Sequence, residues 1–170
     1  MNFKCKPCLF YGLLKIHKSN IIKEACKQSS GKDLTLRPII AGPACEIHRL
    51  SNFLDILPKP LLKYIKSFIR DDLDMQEHLP KAIKEEALLV SFDLINLYTN
   101  IPHDYGIKAI KFWLEKYSEV LPGRINQIFI IEYLKCILQN NYFLFHDAYY
   151  RQKCGIAMGT KAAPVLANLT

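Results

Sequence analysis

The chain has 170 residues, half of them hydrophobic, and carries a formal net charge of +7. That is enough apolar length for one domain with a real core, which excludes a disordered tail or a low-complexity linker. No run of about 18 apolar residues occurs and Met1-Asn2-Phe3-Lys4 opens no signal peptide, so the expectation is a soluble intracellular chain with no membrane partner and an anionic ligand, nucleic acid first.

Six cysteines are then expected to stay reduced. Cys5 and Cys8 have the spacing of half a zinc site, but no second ligand pair follows at a fitting distance and His17 alone does not complete it. Ordinary thiols are the simpler reading.

Phe10 to Lys18 is an aromatic, glycine-punctuated strand ending in cations, and Ser19 to Asp33 reads as a polar loop. Thr35 to Ala41 returns as a second strand, broken by Gly42-Pro43. The hairpin would gather Lys15, Lys18 and Arg37, a concentration of charge suited to a triphosphate or a phosphodiester backbone, or else a solvated basic face. From Glu46 the apolar residues Ile47, Leu50, Leu54 and Leu57 recur at helical spacing. Pro58 and Pro60 then divide this helix from a second one holding Leu61, Leu62, Ile65 and Ile69. Asp71-Asp72 reads as a helix start and not as a metal pair, because neighbouring residues on a strand point to opposite faces. Met75 to Glu86 is expected to be a short surface helix.

Leu88-Leu89-Val90 reads as a buried strand that ends at Asp93, where the backbone opens into a loop. An unpaired buried carboxylate costs several kcal/mol, so Asp93 needs a cation, strong donors or solvent; the plainer alternative is a turn cap. Asn100-Ile101-Pro102 punctuates the exit. A helix follows, with Ile107, Ile110, Leu114 and Tyr117 on one face, ended by Leu121-Pro122-Gly123. The next helix, Arg124 to Gln139, has apolar residues spread too broadly for a surface element and is expected to be central. Asn141 to Phe145 and Tyr149 to Gln152 form a hairpin whose aromatics could pack or stack on bases. Gly155 and Gly159 let the backbone approach a ligand closely before a small-residue helix from Lys161 to Leu169, although no Gly-Lys-Ser/Thr closes a P-loop.

Four stretches in this order resemble reverse transcriptases, and most closely those of Penelope-like retroelements, relatives of the telomerase catalytic subunit. They are Tyr11-Gly12-Leu13-Leu14-Lys15-Ile16-His17-Lys18, Leu36-Arg37-Pro38-Ile39-Ile40-Ala41, Asp93 to Pro102, and Gln152 to Leu169. The resemblance implies an α+β right-hand polymerase fold, with about 1–87 fingers-like and about 88–170 a partial palm. It implies an RNA-directed DNA polymerase that joins a deoxynucleoside triphosphate to a DNA primer 3′ hydroxyl on an RNA template, using two Mg²⁺ ions, or Mn²⁺ in their place. By this likeness Asp93 is the first catalytic, metal-binding aspartate and the Leu94 carbonyl shares its metal. Tyr98 is the aromatic gate under the sugar, Lys15, Lys18 and Arg37 hold triphosphate and template, and Gly155 and Gly159 belong to the loop that positions template and incoming base. Met158 departs from the Gln of many relatives. Nuclear action is implied as well, with no localisation signal in the residues.

The family's second pair of metal ligands, in a Tyr/Phe-x-Asp-Asp turn, would lie beyond Thr170, as would the thumb and an endonuclease domain. The 170 residues are therefore expected to be a fragment, inactive alone, with a non-catalytic nucleic-acid-binding remnant as the alternative.

Overall fold

The computed structural model describes residues 6–15, 24 and 36–170. Lys18, Cys5, His17 and the expected loop from Ser19 to Asp33, apart from Glu24, lie outside the described residues.

The fold is α+β. Strands β1 (Cys8–Leu14), β2 (Leu36–Ala41), β3 (Tyr142–Phe145) and β4 (Ala148–Arg151) form one mixed sheet in the order β2-β1-β3-β4. The first hairpin is antiparallel, with Leu13 opposite Arg37 and Tyr11 opposite Ile39. β3 joins β1 in parallel, Cys8 beside Phe143, and β4 returns antiparallel to β3. Both hairpins expected from the aromatic and β-branched runs are present. The tight β3–β4 turn places His146 at φ +51°, a left-handed conformation that a two-residue connection requires.

Among the described residues the helices are α1 (His48–Ile56), α2 (Asp72–His78), α3 (Leu97–Asn100), α4 (His103–Lys116), α5 (Gln127–Gln139) and α6 (Ala163–Leu169). The core lies where α1, α4, α5 and α6 meet, around Leu54, Leu61, Ile110, Leu114, Ile130 and Leu134. Burying each such side chain contributes about 2 kcal/mol. Polar ties reinforce the contacts: the Trp113 indole N–H donates to the Leu169 carbonyl (2.9 Å), and Gln127 Nε2 donates to the Leu114 carbonyl (2.9 Å). Tyr64 stacks on Tyr117 with ring centroids 3.8 Å apart.

Several sequence expectations are corrected here. The segment after Pro58 is a 3₁₀ turn, Lys59–Tyr64, and not a second α-helix; it runs out at Ile65, and Ile69 is exposed. The surface helix lies earlier than Met75–Glu86. It starts at Asp72, where the Asp71 carboxylate accepts the Asp74 amide (2.9 Å), and it stops at Leu79, which Pro80 holds in an extended conformation. The capping role of Asp71 is as expected. α5 buries Ile130, Leu134, Ile137 and Leu138 on one face, but its first turn leaves Ile128 67% exposed, so it is central along one side only.

The largest correction concerns Leu88-Leu89-Val90. These residues form no strand and are not buried: Leu89 is 94% and Phe92 91% exposed, and the backbone from Leu88 to Ile95 has no sheet partner among the described residues. An apolar run becomes a strand only when a neighbouring backbone completes its ladder.

Candidate functional site

The segment from Gln152 to Ala162 is irregular, yet it is tied down at successive points. Gln152 shares hydrogen bonds with Asn141 through both backbone (3.0 Å) and side chain (2.8 Å). Gly155 follows at φ +79°, so close to Thr99 that a Cβ would lie 2.7 Å from its Cα and carbonyl oxygen. The Ile156 amide then donates to the Tyr98 carbonyl (2.6 Å), and His103 Nε2 lies 2.9 Å from the Gly155 carbonyl, placed to donate to it. Further on, the Met158 carbonyl accepts the Ile40 amide (2.7 Å), extending the edge of β2. Gly159, at φ +108°, packs where any Cβ would collide with the Ile40 carbonyl oxygen. Last, the Ala162 amide donates to the buried Ser51 hydroxyl on α1 (3.1 Å).

These ties make the 152–162 segment a bridge between the hairpin and α3 with the start of α4. An open cleft of about 840 Å³ lies beneath it. Lys15 and Arg37 enter from the hairpin, Asp93 and Leu94 from the segment before α3, Tyr98 from α3, and Met158, Gly159 and Lys161 from the bridge. Every described site residue expected from the sequence therefore lines the cleft, except Gly155, which is buried behind it against Thr99; Lys18 lies outside the described residues. Tyr98 is half-buried, its ring packed on the core and its carbonyl engaged by Ile156, which fixes where the ring can stand. Asn96 adopts φ +55°, turning the chain from the exposed Asp93 segment into α3.

The cleft is cationic. Lys15, Arg37 and Lys161 line it with Asp93 as the one carboxylate among the described lining residues. Among the described residues no three His, Cys, Asp or Glu side chains form a metal-binding group. Asp93 with the Leu94 carbonyl offers hard oxygen donors for part of one Mg²⁺ shell, and these donors do not fit an arrangement of two divalent ions. Of the expected zinc half-site only Cys8 is among the described residues; it is buried beside Cys45, and burial foremost, then the Cys45 thiol, pushes its pKa up to about 12.

Sequence reasoning did not single out Lys161, His103 or Ser51. Lys161 could have been noticed as a cation directly after the Gly159 turn. His103 and Ser51 act across 52 and 111 residues, and no local spacing announces such partners.

Comparisons of the chain with family models, curated proteins and solved structures returned no match. No helix among the described residues is long and apolar enough to cross a membrane.

Proposed function

We propose that the cleft is the nucleotide and nucleic-acid site of an RNA-directed DNA polymerase domain of the reverse-transcriptase kind, the hairpin acting as fingers and the remainder as part of a palm. One observation carries this reading: four stretches far apart in sequence, each resembling a reverse-transcriptase motif, converge on a single cationic cleft. Lys15, Arg37 and Lys161 supply charge for phosphates, and Tyr98 presents a fixed aromatic edge where a sugar would sit. Asp93 would contribute one ligand of a divalent ion whose chemistry activates a primer hydroxyl and steadies the leaving phosphate.

A binding-only reading is favoured by a specific feature, the excess of three cations over one carboxylate in the described lining. Both readings require salt-dependent binding to an RNA/DNA hybrid. If about five phosphates are neutralised, log K falls with log salt at a slope near −4.5, and Arg37→Ala reduces that slope by about one unit. Absent or salt-independent binding overturns both. Primer extension by the 170-residue chain bears on the binding-only reading alone: neither reading expects any, because one carboxylate holds two divalent ions poorly against their hydration, and detectable extension overturns the binding-only reading.

A further inference from the structure

Cys8 opens β1, and the chain comes back to it once the first hairpin is complete. β2 ends at Ala41, and the turn that begins at Gly42 returns Cys45 to the start of β1. Two backbone hydrogen bonds hold that turn: the Lys6 amide donates to the Ala44 carbonyl (3.1 Å) and the Cys45 amide to the Gly42 carbonyl (3.1 Å). Cys8 forms a small buried cluster with Ile40 and Ala157, and Cys45 packs against it. Gly42 is what lets the two cysteines meet. A Cβ at this position would collide with both sulfurs, so the missing side chain leaves the space that they share. Both are free thiols, Cys8 buried and Cys45 half-buried, and the Cys45 thiol is within hydrogen-bonding reach of the Cys8 sulfur.

Two separate spaces border the pair. An open depression of about 200 Å³ is lined by both cysteines together with Lys6, Glu46 and Tyr142. A cavity of about 20 Å³ is shared by both with Ser51 of α1 and with Gly159 and Thr160 of the bridge. The depression admits a molecule as small as a peroxide. The cavity leaves room for the sulfurs to close to about 2.05 Å, the separation that a disulfide demands. Among the described residues no third metal ligand joins the two, so their chemistry is that of a dithiol.

We infer that Cys8 and Cys45 are an oxidation site for small hydroperoxides, whose disulfide staples the root of the first hairpin. Cys45 attacks first, because it stands half-buried at the depression while burial keeps Cys8 protonated. Its thiolate takes one peroxide oxygen, the O–O bond breaks, and the leaving hydroxide becomes water once protonated. The Cys8 sulfur then attacks the Cys45 sulfenic acid: the S–S bond forms, the S–O bond breaks, and the Cys8 proton leaves with that hydroxide as a second water. Two thiols lose two electrons and the peroxide gains them. Neither cysteine lines the cleft, yet β1 runs from the pair towards Lys15 and β2 returns to it from Arg37, both cleft residues. Oxidation therefore fixes the base of the element that carries these two cations.

The test treats the whole reduced chain with excess hydrogen peroxide at pH 8, then alkylates and digests it without reductant for mass spectrometry. The staple requires a Cys8–Cys45 cross-linked peptide as the principal disulfide, two hydrogens lighter than its reduced halves and lost on adding dithiothreitol. The oxidised chain should melt about 5–10 °C above the reduced one, because the cross-link restricts the unfolded chain. Hydrogen exchange of the β1 and β2 amides should slow as well. Cys45→Ser should remove both the cross-link and the shift. Cys8→Ala should stop the reaction at the Cys45 sulfenic acid, which dimedone traps. Melts of the reduced variants identify one that has merely unfolded, and the cross-link in the parent needs no variant. Cys45 joined to another cysteine in place of Cys8, or Cys45 unreactive or oxidised to the sulfinic acid with no cross-link, overturns the site. A Cys8–Cys45 cross-link that leaves the melt and the exchange unchanged overturns the staple.

Discussion

A single methyl group separates a tolerated from a forbidden side chain at Gly159. Its φ of +108° is one that L-residues rarely adopt, and the Ile40 carbonyl already occupies the Cβ position. Gly159→Ala should cost about 1–3 kcal/mol in urea unfolding. Gly123→Ala, where an added Cβ meets no atom within 4 Å, should stay within about 0.5 kcal/mol of the parent. Equal effects at the two sites would contradict the close packing of the bridge on β2. A second residue-scale outcome concerns thiols. Iodoacetamide attacks thiolate, and Cys8 is held neutral up to about pH 12 by burial and by Cys45, whereas Cys136 and Cys154 are exposed. At pH 8 mass spectrometry should find Cys136 and Cys154 modified and Cys8 modified only after denaturant is added. The sign of the linkage follows. Above the ordinary value of 9.0 the unfolded chain ionises this thiol and the folded chain does not, so stability falls from about pH 9 towards 12, and Cys8→Ala should lessen that fall.

At the scale of elements, the segment from Leu88 to Ile95 contrasts with the hairpins. Both hairpins close short ladders and keep their register, whereas this equally apolar segment stays irregular and exposed, with no sheet partner among the described residues. Chymotrypsin at low ratio should therefore cut first around Leu88, Leu89 and Phe92, read by mass spectrometry, and only later within α4 or α5. Since Phe92, Asp93 and Leu94 line the cleft, an RNA/DNA hybrid bound there should slow that cleavage. Early cleavage inside α5 instead would contradict the packing of its Ile130–Leu138 face. The same contrast explains which elements were legible. Amphipathic periodicity placed α4 within a few residues, because Ile110 and Leu114 point inward whatever the neighbours are. The 3₁₀ turn at Lys59–Tyr64 was misread as a helix: Leu61 and Leu62 carry the apolar signal of one, while Pro58 and Pro60 restrict the backbone before a full α-turn can propagate.

For the whole molecule, the core where α1, α4, α5 and α6 meet carries the fold, and Leu114 is its plainest test. Its side chain is 0% exposed, and Leu114→Ala should lower the unfolding free energy by about 2–5 kcal/mol, measured by urea titration followed by circular dichroism. A change under about 1 kcal/mol would mean that α4 is not packed as described. Taken alone, the amino-acid order determined the two hairpins, the amphipathic helices and the residues that gather charge, because those signals are local: turn chemistry, side-chain period and residue type act within a few positions. Only the tertiary structure decided that Lys15, Arg37, Asp93, Tyr98 and Gly159 share one cleft and that His103 and Ser51 hold the bridge beside it. Those facts depend on hydrogen bonds and strand pairings across tens of residues, whose closure is governed by the whole core and leaves no trace in local spacing.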